Sequence, residues 1–358
     1  MSRVAVIIIA LSFAAAAAGG ITEGGSDLFS LSGYNMFRYS MWGIEERDPT
    51  SGFDLYNRIE LEPSVSDMLA AKLSFDTRFG FSVFDSLAGS WLSDDYTLKA
   101  VEVYGILRFS PEIYIAGGRF KLPFGYGYSR PGSDIPFYDR VMVASAPAFT
   151  AFGGTDLGMM LGTDLGPVDI TLSYTNGTDS QADTTVSKQF TADVAASPAE
   201  WISLGGSAAV IGQPEMQPQE SWSATGLSFY AYGDYPVFGG LTLNFEGEYM
   251  SLPWAGPAVD DMVNEPGGDY YFSLAGTHQV EMGMLTAIQP AVRLEMLSPP
   301  EQVQTGQTVP ESDVSALDMC LNLHTGQKNT VQIGARSYSF QSGADGYTDV
   351  YVNWRMLF

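Results

Sequence analysis

The chain has 358 residues, with 17 Lys and Arg against 41 Asp and Glu, a formal net charge of −24, and one cysteine. This acidity argues against nucleic acid as a partner, and a lone Cys320 excludes an intramolecular disulfide framework. Hydrophobic residues make up 45% and aromatics 13%, while charged residues are only 16%, against about 25% in an average soluble chain; secreted β-proteins share this balance, but it points to apolar surface exposed to something other than water.

In chain order, Arg3 supplies a short positive start, residues 4–13 an apolar run, and Ala14 to Ala18 the small residues that a signal peptidase accepts. Roughly 15 apolar residues fall short of the roughly 20 that a membrane-spanning helix needs. The expected division is a signal peptide over 1–18, cleaved after Ala18, and one domain over 19–358. No cysteine near the cleavage site offers a lipid anchor, and no second long apolar stretch follows, which excludes a helical membrane protein.

What recurs instead is alternation of apolar and polar residues in segments of about ten. Sixteen such segments are predicted: 27–42, 53–63, 68–79, 97–109, 112–122, 155–163, 167–176 and 187–196, then 201–210, 223–234, 239–251, 269–277, 284–297, 314–324, 329–340 and 348–358. The last is the clearest. Val350, Val352, Trp354, Met356 and Phe358 share one face, and Tyr351, Asn353 and Arg355 the other. Short connections (63–67, 110–111, 164–167, 197–200, 235–240, 325–328) are interleaved with longer Gly- and Pro-rich ones (43–52, 80–96, 123–154, 177–186, 211–222, 252–268, 298–313, 341–347). Transmembrane barrels segregate loop lengths in this way, with turns at one rim and loops at the other. The expected fold is therefore all-β, a closed antiparallel transmembrane barrel of about sixteen strands, wide enough for an aqueous channel.

Several stretches resemble outer-membrane porins of the phosphate-selective porin family. GRFKLPFG (118–125), which ends a strand and opens the longest loop, is similar to that family's Gly–x–Phe–Lys–x–Pro–Phe–Gly segment, and PFYDR (136–140) falls where the family carries an aromatic before an acidic–Arg pair. Asn176–Gly177, the run QPAVR (289–293) and the terminal aromatic strand also fit. The resemblance implies an inward-folding third long loop, homotrimers, and recognition of Trp354, Met356 and Phe358 by barrel-assembly machinery. Phosphate selectivity is not carried over, because 17 basic residues are too few for an arginine-rich pore. Asn35 on the apolar face of the first strand and Pro290 within a strand depart from the pattern, through a bulge, a subunit contact or a different register.

If the terminal strand fixes which face meets lipid, Arg38, Arg58, Lys72, Arg78, Arg108, Arg119, Lys121, Arg293, Arg336 and Arg355 line the lumen with Glu60, Asp76, Glu102, Asp169, Asp193, Glu246, Glu248, Glu295 and Asp318. Basic residues gather in the first five strands and acidic ones later, which sets up a transverse field. Arg130, Asp134, Asp139 and Arg140 of the third long loop are expected to face the basic wall and form a constriction. Most of the acidic excess falls in loops: Glu45, Glu46, Asp48, Asp94, Asp95, Asp260, Asp261, Glu265, Glu301, Glu311 and Asp313, a rim suited to divalent ions bridging to lipopolysaccharide. Tyr39, Trp42, Tyr249, Tyr270 and Trp354 are candidates for interfacial aromatic girdles.

Catalysis has little support. His278 is expected in a turn and His324 inside the barrel, and no metal motif, P-loop or nucleophile elbow is present. The reading is a passive channel in a bacterial outer membrane for ions and small hydrophilic solutes, without cofactor or metal. The alternatives are a secreted or surface-exposed β-rich binding or adhesion protein, and a channel specific for one solute class.

Overall fold

The computed structural model describes residues 29–44, 50–83, 92–130, 134–137, 140–142, 152–177, 188–212, 223–253, 266–298, 302–304, 307–309, 313–326, 328–341 and 346–358. The expected signal peptide lies outside them.

Each predicted segment is a strand. The first eight are β1 (Phe29–Ile44), β2 (Thr50–Ser66), β3 (Leu69–Val83), β4 (Leu92–Ser110), β5 (Ile113–Lys121), β6 (Thr155–Asp164), β7 (Val168–Thr175) and β8 (Gln189–Ala199). Next come β9 (Ile202–Gly212), β10 (Ser223–Pro236), β11 (Leu241–Pro253), β12 (Pro266–Met282) and β13 (Leu285–Ser298). A short hairpin, β14 (Gln302–Gln304) with β15 (Gln307–Val309), stands apart, and β16 (Val314–Thr325), β17 (Asn329–Phe340) and β18 (Tyr347–Leu357) complete the chain. A helical turn, α1 (Tyr126–Ser129), follows β5 in the connection to β6. Sixteen strands pair antiparallel with their neighbours, and β1 pairs with both β2 and β18, so the sheet is a closed barrel. Closure leaves no edge strand with unpaired backbone groups.

Alternation reads out directly as two environments. In β18, Val350, Val352 and Trp354 are 50%, 45% and 46% exposed, whereas Tyr351, Asn353 and Arg355 between them are 1%, 0% and 6% exposed. Met319 and Leu321 of β16 are exposed on the outward face while Asp318, Cys320 and Asn322 are buried. Tyr39, Tyr249 and Tyr270 join Trp354 on the outside, and Trp354 stacks on Phe37 with ring centroids 5.7 Å apart. An apolar outer face of this extent marks contact with a membrane or a partner.

The loop-length alternation is preserved. Two-residue turns join β2 to β3, β4 to β5 and β12 to β13, while residues 122–154 connect β5 to β6. Several expectations are corrected. Hydrogen bonding carries β3 and β4 past their expected ends, so Asp94 and Asp95 belong to β4, not to a loop. His278 lies in β12 opposite Leu241 and Ile288, because β12 continues to Met282 and the turn is made after it by Gly283, whose φ of 64° only glycine adopts cheaply. The hairpin β14–β15 was not foreseen. Pro290 stays within β13, opposite Leu321, and has no paired residue in β12. Asn35 is buried rather than on the outer face, in register with Asn57 and Thr77; Asn57 Nδ2 donates to Thr77 Oγ1 at 3.1 Å, while Asn35 Nδ2 has no hydrogen-bond partner among the described residues.

Candidate functional site

The segment from Leu122 to Met142 meets inward-facing side chains across the barrel. Glu248 of β11 accepts from the N–H groups of Tyr126 at 2.8 Å and Gly127 at 2.9 Å, and Ser207 of β9 accepts from Gly125 N–H at 3.0 Å. Further along, Asn322 and Gln332 each donate to the Pro136 carbonyl at 2.9 Å, and Arg355 donates to the Ile135 carbonyl at 3.0 Å. Glu295 of β13 accepts from Met142 N–H at 2.5 Å. Backbone donors and acceptors that have left a sheet are thereby satisfied away from bulk water.

Apolar contacts reinforce this docking. Phe124, Val141 and Phe152 pack on Ala209, Ile211, Met250 and Leu252, and Ile135 and Phe137 pack on Ala275, Ala291, Cys320 and Tyr351. Beneath them, Arg293 Nε lies 2.6 Å from Glu295 and its Nη2 3.1 Å from Asp318, while Arg336 Nη2 is 2.9 Å from Glu295. All four side chains are buried, so two cations and two anions neutralise each other in a dry layer.

On the opposite side an open cavity of about 450 Å3 lies between the loop and β1–β5. Its lining includes Arg38, Arg58, Arg78, Lys99, Lys121 and Arg140 with Asp54 and Asp76. Arg58 forks onto Asp76 through Nε and Nη2, both at 2.6 Å, and Arg38 Nε donates to Asp54 at 2.9 Å. Arg78 reaches the other Asp54 oxygen at 3.1 Å. Lys121 lies 5.4 Å from the Tyr128 ring.

The remaining candidates fall in distinct places. Lys72 lies 3.7–3.8 Å from Glu60, Glu62 and Glu102. Arg108 is in β4 opposite Tyr114. Arg119 is not part of the cavity lining: it stands opposite Val103 and Leu157, both exposed outward, and its Nη2 donates to Thr155 Oγ1 at 3.0 Å. Arg130 pairs with Glu246 on the acidic side and donates to the Asp134 carbonyl at 2.6 Å. That differs from the expected approach to the basic wall, since an acidic partner outcompetes like charge. Burial opposes the Arg130 charge, but Glu246 holds its guanidinium above the ordinary value. Arg140 does reach the basic side and ties the loop together, donating to the carbonyls of Gly127, Tyr128 and Arg130 at 3.1, 2.8 and 3.0 Å. Burial, aided by Arg58, lowers its affinity for the proton. Asp134 is exposed, and Asp139 lies outside the described residues. Phe358 exchanges backbone hydrogen bonds with Gly33 at 3.1 and 3.3 Å, and Met356 stands opposite Asn35.

Sequence reading did not single out Asp54 as a partner of two arginines, nor the tyrosines that face inward. Lys99 was missed because a register shift near Ala100 moves it onto the inner face. Among the described residues no cluster of three or more His, Cys, Asp or Glu side chains is arranged to hold a metal.

No known family and no curated protein matches this sequence, so the narrower likeness to phosphate-selective porins rests on the motifs alone. Solved structures do match. OprB of Pseudomonas putida, in its high-pH structure, has a TM-score of 0.64 at 10% identity, over 92% of this chain and 94% of that one. OmpF of Salmonella typhi, solved with daunomycin, gives 0.60 at 10% identity over 92% and 97%. An anion-selective porin from Comamonas acidovorans gives 0.57 at 11% identity over 92% and 99%. What this chain shares with these three proteins is the fold, a closed antiparallel barrel along nearly its whole length.

Proposed function

We propose that this chain is a porin of a bacterial outer membrane, a water-filled channel for passive diffusion of ions and small hydrophilic solutes rather than an enzyme. The observation that carries the reading is the pairing of an apolar outer face with a charged inner one on a closed barrel, narrowed by a docked loop that leaves a charged passage. The likeness in fold to proteins described as porins supports it.

Within this reading, lipid and lipopolysaccharide surround the barrel, assembly machinery receives the Trp354–Phe358 end after export by the leader, and three copies associate. Arg38, Arg58, Arg78, Lys121 and Arg140 line the narrow passage, with Lys72 and Arg108 nearer the short-turn rim. The test is fractionation together with solute entry. The reading expects the chain in the outer membrane, migration on gels that changes on heating, and swelling of reconstituted liposomes in small sugars. A detergent-free soluble chain in the periplasm or medium would instead favour a binding or adhesion protein.

A further inference from the structure

Resting on the channel reading, we infer that the passage prefers small organic monoanions, a carboxylate on a compact apolar body, and that Lys121 is the residue that receives the carboxylate.

The whole chain is strongly acidic, but its acidic residues are not distributed evenly with respect to open space. Glu246, Glu248, Glu295 and Asp318 are buried against the docked loop or against Arg293 and Arg336. They present little charge to a solute. The open cavity is lined by six basic side chains, Arg38, Arg58, Arg78, Lys99, Lys121 and Arg140, and by two carboxylates, Asp54 and Asp76. A narrow passage with that surplus of positive charge, walled by low-dielectric material, concentrates anions.

The class of anion follows from which donors remain available. Phosphate is recognised best by guanidinium forks, and here the Arg58 fork is filled by Asp76, Arg38 and Arg78 share Asp54, and Arg140 is engaged by three loop carbonyls. Lys121 and Lys99 have no carboxylate partner among the described residues. Ammonium groups offer a point charge, which suits a singly charged carboxylate. The rest of the wall is largely apolar: Met36, Val101, Ile135 and Phe137, with the Tyr128 ring beside Lys121. A hydrated dianion loses solvation against such a wall, whereas a carboxylate with an apolar body gains contact. The volume of about 450 Å3 suits one small molecule.

The experiment uses the full-length mature chain refolded into planar bilayers, with benzoate as probe and inorganic phosphate as comparator. A potassium chloride gradient should give a reversal potential of anion sign. Benzoate should reduce the chloride current saturably and phosphate should not. Lys121→Gln should weaken the benzoate block by about tenfold, the loss expected for one charge-assisted contact, while Lys121→Arg retains most of it; both variants are checked for heat-dependent gel migration. A cation-sign reversal potential, a phosphate block as strong as that by benzoate, or an unchanged block in a folded Lys121→Gln protein would overturn the inference and leave the channel reading standing. A folded protein that opens no conductance would remove both.

Discussion

Glu248 and Gly127 are joined across the barrel interior: the carboxylate accepts the Gly127 N–H at 2.9 Å, with the Tyr126 N–H at 2.8 Å on its other oxygen and the Ser228 hydroxyl at 2.5 Å. One side chain of β11 thus holds the start of the long loop to the wall. Glu248→Ala leaves two buried backbone donors without an acceptor, at about 1–3 kcal/mol each. The loop is expected to detach and the unit conductance to rise, with earlier thermal unfolding in detergent. Conductance identical to the parent protein would show that the loop is held elsewhere.

The buried set of Arg293, Arg336, Glu295 and Asp318 makes a stronger energetic prediction. Removing one member strands an opposite charge in a dry layer, which costs about 3–5 kcal/mol. Arg293→Ala should shift the urea midpoint of the reconstituted protein downward by a corresponding amount. A shift equivalent to less than about 1 kcal/mol, the level of an exposed pair, would mean that water reaches this layer.

Closure of the barrel can be probed at Gly33. A Cβ there would lie 2.1 Å from the Arg58 carbonyl oxygen and 2.8 Å from the Phe358 ring, whereas a Cβ at Gly105 meets nothing within 4 Å. Gly33→Val should therefore reduce the folded, heat-modifiable fraction sharply, and Gly105→Val should not. Equal folding yields would contradict tight packing at the β1–β18 seam.

The barrel was legible because its strands contact two different media. Val350 and Val352 against Asn353 and Arg355 report that contrast at every second residue, and strand number and loop alternation follow from it. The site was less legible because a third environment exists inside. Met250, Leu252, Ala209 and Ile211 are apolar yet point inward, covered by the docked loop. Two-way alternation cannot separate such residues from lipid-facing ones. Charge partners were obscured for a related reason. Arg130 meets Glu246 across 116 positions of sequence, a pairing set by how the loop crosses the lumen and not by any local spacing. Lys99 comes onto the inner face because a backbone irregularity near Ala100 offsets the simple period of two, whereas Arg119 stands in unbroken register with outward-facing Val103 and Leu157.

The most direct measurement compares two single cysteines in a Cys320→Ser background, Val352→Cys on the outer face and Arg78→Cys on the inner one, in protein reconstituted into liposomes and treated with a charged maleimide. Arg78 is 58% exposed toward the passage, so the cysteine there should label rapidly, while the one at position 352 stays protected by hydrocarbon until detergent is added. Rapid labelling at position 352 in intact liposomes, with position 78 unreactive, would contradict a barrel that turns its apolar face to lipid and its charged face to water.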